Sequence, residues 1–161
     1  VASGGFLALT ATATARVARD VRARFDIAEE NYIKMPFLRP NLHLQMIPAP
    51  SGFEARADQL AALLHSQQHG ATIVYVTLQS TANQLQATLE EKGLNAKAYH
   101  AGKNPDVRDE IQNWFLGASP SSNPIVVSTI AFGMGVDKSD IRYVYHFNLA
   151  KSVEGYAQEA G

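Results

Sequence analysis

The chain has 161 residues, 46% hydrophobic and 18% charged, with a formal net charge of −1, which is ordinary globular composition at about one domain in size. It contains no cysteine, which excludes a disulfide framework and a cysteine zinc site, and no run is long and apolar enough to span a bilayer. Arg16, Arg19, Arg22, Arg24, Lys34 and Arg39 outnumber the acids of residues 1–40, but the remainder is acidic, so neither part has the strongly basic footprint of an autonomous DNA binder.

The first residues, Val1 to Gly5, include neither Met nor a basic-plus-apolar leader, and the chain reads as a piece of a longer protein. Phe6 to Leu9 has the pattern of a strand end. Thr14 is placed to cap a helix whose Val17, Val21 and Phe25 recur on one face, leaving its arginines on the solvated side. Pro36, Pro40, Pro48 and Pro50 punctuate a linker with an extended piece over Leu42 to Ile47, and a domain boundary is expected near residue 40. Ser51 and Glu54 have capping-box spacing ahead of a helix with Ala57, Leu60, Ala61 and Leu64 inward. Gly70 is expected to stop that helix.

Ile73 to Val76 is a buried-strand pattern. Thr81 to Lys92 is a helix with Leu85 and Leu89 inward and Gly93 at its C′ position. Ala96 to Tyr99 is a strand, and Asn104-Pro105 is an N-cap followed by proline at N1, opening a helix with Val107, Ile111, Trp114 and Phe115. After a Ser/Pro-rich loop come a β-branched strand from Ile125 to Val127, a glycine-containing turn, a strand from Ile141 to Phe147, and a helix from about Ser152. This alternation implies right-handed βαβ units, a parallel sheet and helices on both faces.

Ser128 and Thr129 place two hydroxyls just beyond a buried strand, Gly133 and Gly135 follow, and Asp137 lies two residues further on. Hydroxyls, glycines and a carboxylate there suit a ligand crevice at the carboxyl edge of an open α/β sheet; alone, they equally suit an ordinary strand-loop-strand connection. No Gly-x-x-x-x-Gly-Lys-Ser/Thr is present, because Gly102-Lys103 lacks the upstream glycine and the hydroxyl. His65 and His69 are four residues apart on an expected helix, but nothing supplies a third metal ligand. They read as polar residues near a helix C-terminus. His146 reads as a core or edge residue of its strand, and Trp114 as core.

Together the motifs resemble the RecQ family of superfamily 2 DNA helicases. Leu7-Ala-Leu-Thr-Ala-Thr-Ala-Thr14 resembles helicase motif III, and Phe37-Leu-Arg-Pro-Asn41 the junction between the family's two RecA-like lobes. Ile73-Val-Tyr-Val-Thr77 resembles motif IV, followed by the matching Tyr99-His-Ala-Gly102. Ser128 to Lys138, with Ala-Phe-Gly-Met-Gly inside it, resembles motif V, and Tyr156-Ala-Gln-Glu-Ala-Gly161 the opening of motif VI. The six occur in family order across nearly the whole chain.

The resemblance implies a RecA-like three-layer α/β/α fold with a parallel sheet, of the P-loop NTPase-type helicase C-terminal lobe. Residues 1–40 would be the tail of lobe 1 plus the interlobe linker, and 41–161 would be lobe 2. It implies part of an ATP-driven 3′–5′ DNA-unwinding motor. Gly133, Gly135 and Asp137 would face ATP; Thr10, Thr12 and Gln158 would couple the lobes; Thr77, His100, Gly102, Ser128 and Thr129 would hold the DNA backbone without reading bases. ATP and Mg²⁺ are the implied cofactors, with ligands mostly outside this chain; zinc is not expected here. DNA and lobe 1 are the implied partners, without a membrane, in a cytoplasmic, nucleoid or nuclear setting.

Three departures matter. Leu78 stands where the family usually has a hydroxyl, and Ser128-Thr129 stands where Ala-Thr is common. The chain also stops at Gly161, before the Arg-Ala-Gly-Arg that supplies the arginine finger. Hydrolysis needs Mg²⁺, a P-loop lysine and that finger, so the chain alone is expected to be inactive. The alternative from another class is a non-catalytic module whose Gly-x-Gly loop takes a nucleotide or protein. A Rossmann enzyme is disfavoured, because the glycines lie between two late strands.

Overall fold

The computed structural model describes residues 6–10, 13–34, 41–129, 132, 138–149, 155, 156 and 159. The chain divides into two compact units, residues 1–47 and 48–161. The boundary expected near residue 40 falls at the end of a stretch, 35–40, outside the described residues.

In the first unit, α1 spans Ala15–Arg24. Thr14 caps it as expected, its hydroxyl accepting from the Val17 N–H at 3.3 Å, which satisfies one of the donors left over in a first helical turn. Phe25 stacks on Phe6 with ring centroids 3.9 Å apart. No residue of α1 is buried, however, and Val17 and Phe25 stay about half exposed. Arg22 pairs with Glu29 and lies over the Tyr32 ring, so it is more engaged than a solvated arginine. Residues 6–10 carry no strand, which corrects the strand-end reading of Phe6 to Leu9, and the linker piece at 42–47 joins no sheet.

The second unit is a layered α/β body: α2 Phe53–Ser66, β1 Ala71–Tyr75, α3 Gln79–Glu91, β2 Ala96–Tyr99, α4 Pro105–Gly117, β3 Ile125–Ser128 and β4 Ile141–His146. The strands form one sheet in the order β2-β3-β1-β4, with every pairing parallel. Side chains alternate across a strand, and β1 shows the result. Val74 and Val76 face a core with α2 (Ala57, Leu60, Ala61, Leu64) and α3 (Ala82, Leu85, Leu89). Ile73 and Tyr75 face a second core with Ile111 and Phe115 of α4 and with Phe132. The three layers follow: α2 and α3 on one face, α4 on the other. Burial of each large side chain contributes roughly 1.5–3 kcal/mol.

Helix ends decide where the strands begin. The Asn104 side chain accepts from the Asp106 N–H at 3.0 Å, starting α4 at Pro105. α3 ends with Gly93 at φ 77°, the Gly93 N–H bonding Glu90 O and the Leu94 N–H bonding Leu89 O, a Schellman closure. The capping box is not observed at α2. The N-cap is Gly52 at φ 86°, without a side-chain cap; a positive φ suits glycine over serine, so the helix starts one residue later. α2 ends at Ser66, so His65 and His69 share no helix face. His65 Nε2 contacts Lys92 O at 3.2 Å, and His69 Nδ1 contacts Asn123 Oδ1 at 3.1 Å.

Candidate functional site

Parallel pairing brings all strand ends to one edge. Tyr75 lies opposite both Ser128 and His146, and Tyr99 also pairs with Ser128. The residues immediately after β1, β2 and β3, namely Thr77, His100, Gly102 and Thr129, therefore share that edge with Ser128. Carboxyl ends of parallel strands are where open α/β sheets bind ligands.

These residues differ in what they offer. Thr77 is exposed, and its N–H donates to Asn148 Oδ1 at 3.2 Å, which ties the β1 exit to the β4 exit. Gly102 is exposed in the turn closed by the Lys103 N–H on His100 O at 3.1 Å. A Cβ at Gly102 would displace the Gln79 side-chain amide and lie 3.2 Å from His100 Nδ1, so glycine leaves this turn's backbone open. His100 is only 5% exposed. Its Nε2 lies 3.1 Å from Asn83 Oδ1, and Nδ1 has no hydrogen-bond partner among the described residues. Burial, helped by the Lys103 charge, holds its pKa below the usual histidine value.

Ser128 is fully buried. Its hydroxyl lies 2.9 Å from Tyr99 O and 2.6 Å from Thr129 O, and its one proton is committed inward. A direct hydroxyl contact with a DNA backbone does not fit this arrangement. Sequence patterning places Ser128 at the strand end but not the direction of its hydroxyl, which sheet register decides. Thr129 is half-buried, its carbonyl accepting the Phe132 N–H at 3.2 Å.

The loop after β3 is held at two described points. Phe132 is 1% exposed and packs edge-on against Tyr99 and Phe115, with centroids 4.7 and 5.4 Å away. Its carbonyl accepts the Tyr75 hydroxyl at 3.0 Å. Burial, with a smaller contribution from the Glu159 charge, pushes the Tyr75 phenol up to about 12, so it remains a donor. At the far end, the Lys138 ammonium donates to Leu116 O and Ala118 O, both at 3.2 Å, and pairs with Asp140 at 2.9 Å. Those carbonyls belong to the end of α4, where a cation is favoured. Tyr75 and Lys138 were not singled out from the sequence as site residues. The only signal was their place within motifs IV and V.

Gly133, Gly135 and Asp137 lie outside the described residues, as do Thr12 and Gln158. Thr10 is exposed in the first unit. Among the described residues no group of three or more His, Asp or Glu could hold a metal ion, and no helix among them is long and apolar enough to cross a membrane.

A parallel sheet with helices on both faces and polar strand ends at one edge is the RecA-like α/β arrangement. Solved structures share it: the C-terminal domain of the DEAD-box protein Dbp5 (TM-score 0.57, 19% identity, 69% of this chain and 63% of that one), and S. cerevisiae Dbp5 bound to RNA and ADP BeF3 (TM-score 0.71, 17% identity, 94% and 39%). A model described as the helicase conserved C-terminal domain matches residues 55–161. Curated relatives include ATP-dependent DNA helicase Q5 of Mus musculus, 39% identical over 96% of this chain and 16% of that protein. RecQ-like DNA helicase BLM of Xenopus laevis is 36% identical over 96% and 11%, and ATP-dependent DNA helicase RecQ of Pasteurella multocida is 34% identical over 96% and 23%. The chain belongs to the helicase C-terminal domain family, and within it to the RecQ type. It spans about a quarter or less of the length of these relatives.

Proposed function

We propose that this chain is the second lobe, with the tail of the first, of an ATP-dependent 3′–5′ DNA helicase. The observation that carries this reading is the convergence of Thr77, Gly102 and Thr129 at one carboxyl edge of a parallel sheet, in a chain similar to RecQ-type helicases along nearly its full length. Thr77, Thr129 and the bare backbone at Gly102 hold phosphate oxygens without reading bases. Ser128 and His100 support them from inside: Ser128 ties β3 to β2, and His100 backs the Gly102 turn.

The ATP side falls to Gly133, Gly135 and Asp137, which lie between Phe132 and Lys138 in sequence, and interlobe coupling falls to Thr10, Thr12 and Gln158. Asp137, acceptor-only when ionised, suits a ribose hydroxyl better than a phosphate. When bound, ATP and Mg²⁺ supply the phosphoryl chemistry, using the P-loop lysine and arginine finger of the longer protein. The chain's own residues bind and orient.

The test is ATP hydrolysis with single-stranded DNA present. The full-length protein is expected to show DNA-stimulated turnover and to displace a strand from a 3′-tailed duplex, while residues 1–161 alone are expected to do neither. Turnover by the isolated chain would sink the inactivity claim. A full-length protein with no DNA-stimulated turnover would favour a non-catalytic binding module.

A further inference from the structure

His146 ends β4 directly opposite Tyr75. Its imidazole stacks on the Tyr75 ring at 5.6 Å and lies 4.8 Å from the Tyr156 ring. Nε2 stands 2.8 Å from Glu159 Oε2, with the two side chains only 14% and 12% exposed. The two are at ion-pair distance but without hydrogen-bond alignment, and Nε2 has no hydrogen-bond partner among the described residues. On its far side the Tyr75 hydroxyl donates to the Phe132 carbonyl at 3.0 Å. One continuous set of contacts therefore runs from Phe132, in the loop after β3, through Tyr75 and His146 to Glu159, the neighbour of Gln158 in sequence.

This arrangement is a costly way to gain stability. A carboxylate withdrawn from water loses hydration, and a hydrophobic pair of similar volume often stabilises as well or better. What an enclosed pair does provide is a single defined geometry. The Tyr75 and Tyr156 rings restrain the imidazole, and the imidazole restrains the carboxylate.

We propose that Tyr75, His146 and Glu159 form a positioning cluster that ties Glu159 to Phe132 across the sheet edge, so that DNA engagement at that edge is transmitted to the nucleotide side. This rests on the helicase reading above. None of the three touches nucleotide or DNA in this role; they act through Phe132 at one end and the backbone at Glu159 at the other.

The test uses the full-length protein and measures ATP turnover with and without single-stranded DNA, KM for ATP, DNA affinity and Tm. His146→Phe keeps the ring and removes the nitrogen; Glu159→Gln keeps the shape and removes the charge. Each is expected to lower DNA-stimulated kcat about tenfold, with DNA-free turnover, KM and DNA affinity within about threefold of the parent. The double variant is expected to be no worse than either single, and His146→Gln, which keeps a donor, to recover part of the loss. Equal loss of stimulated and unstimulated turnover would make the cluster merely structural and overturn the proposal, as would unchanged stimulation in both singles. A parent protein with no DNA-stimulated turnover would instead overturn the helicase reading, and the coupling role with it.

Discussion

Thr77 and Ser128 follow or end adjacent parallel strands at the same edge, and both are short hydroxyl residues, yet they face opposite worlds. Thr77 is exposed beyond β1, while Ser128 is fully buried with its hydroxyl committed to Tyr99 O and Thr129 O. A shared edge therefore divides into an outward set (Thr77, Gly102) and an inward set (Ser128, His100, Phe132). The outward set offers contacts to a partner; the inward set fixes where that edge stands. Two short hydroxyl residues at one sheet edge can therefore have opposite roles, and only sheet register and packing tell them apart.

The largest effect expected from breaking this division is at Phe132. Truncating it to alanine removes a buried ring from between Tyr99 and Phe115. It is expected to cost about 3–5 kcal/mol, read as a lower denaturation midpoint in chemical unfolding, and to impair the loop it anchors. Ser128→Ala is expected to cost about 1–3 kcal/mol by withdrawing a buried side-chain donor that ties Tyr99 O to β3. Thr77→Ala, on the outward side, is expected to fall within about 0.5 kcal/mol of the parent. A measured order with Thr77 costlier than Ser128 would reverse the comparison.

The smallest expected effect is pH-dependent. His100 has a folded-state pKa below its ordinary 6.5, chiefly from burial. The unfolded chain therefore takes up a proton first as pH falls, and the contribution of neutral His100 is present above about 6.5 and declines below it. Thermal melts from pH 8 to pH 5 are expected to show a declining Tm, with a shallower decline in His100→Asn. An unchanged slope in that variant would place the titration elsewhere.

The sheet and its helices were legible in the sequence where local chemistry is self-sufficient. The β-branched run at Ile125 to Val127, the Asn104-Pro105 helix start and the Gly93 helix stop all specify themselves within a few residues. The α2 start was not, because Ser51 has the right spacing but the chain turns at Gly52 with positive φ. The apolar face of α1 was legible as amphipathic, yet periodicity does not say what covers it, and no α1 residue is buried. At the candidate site, the strand-end positions were legible from motif order. Hydroxyl direction at Ser128 was not, nor was the pairing of His146 with Glu159, thirteen residues away in sequence. The first depends on which strands become neighbours and the second on how the chain returns after β4, tertiary facts that no periodicity or propensity reports.

The most direct test of the division is the affinity of the full-length protein for a fluorescent single-stranded oligonucleotide, measured by anisotropy at fixed salt for Thr77→Ala and Ser128→Ala under conditions where both remain folded. Loss of a backbone contact at Thr77 is expected to weaken binding about 3- to 10-fold, with Ser128→Ala close to the parent. Weakened binding in folded Ser128→Ala alongside parent-like binding in Thr77→Ala would contradict the assignment of outward and inward roles.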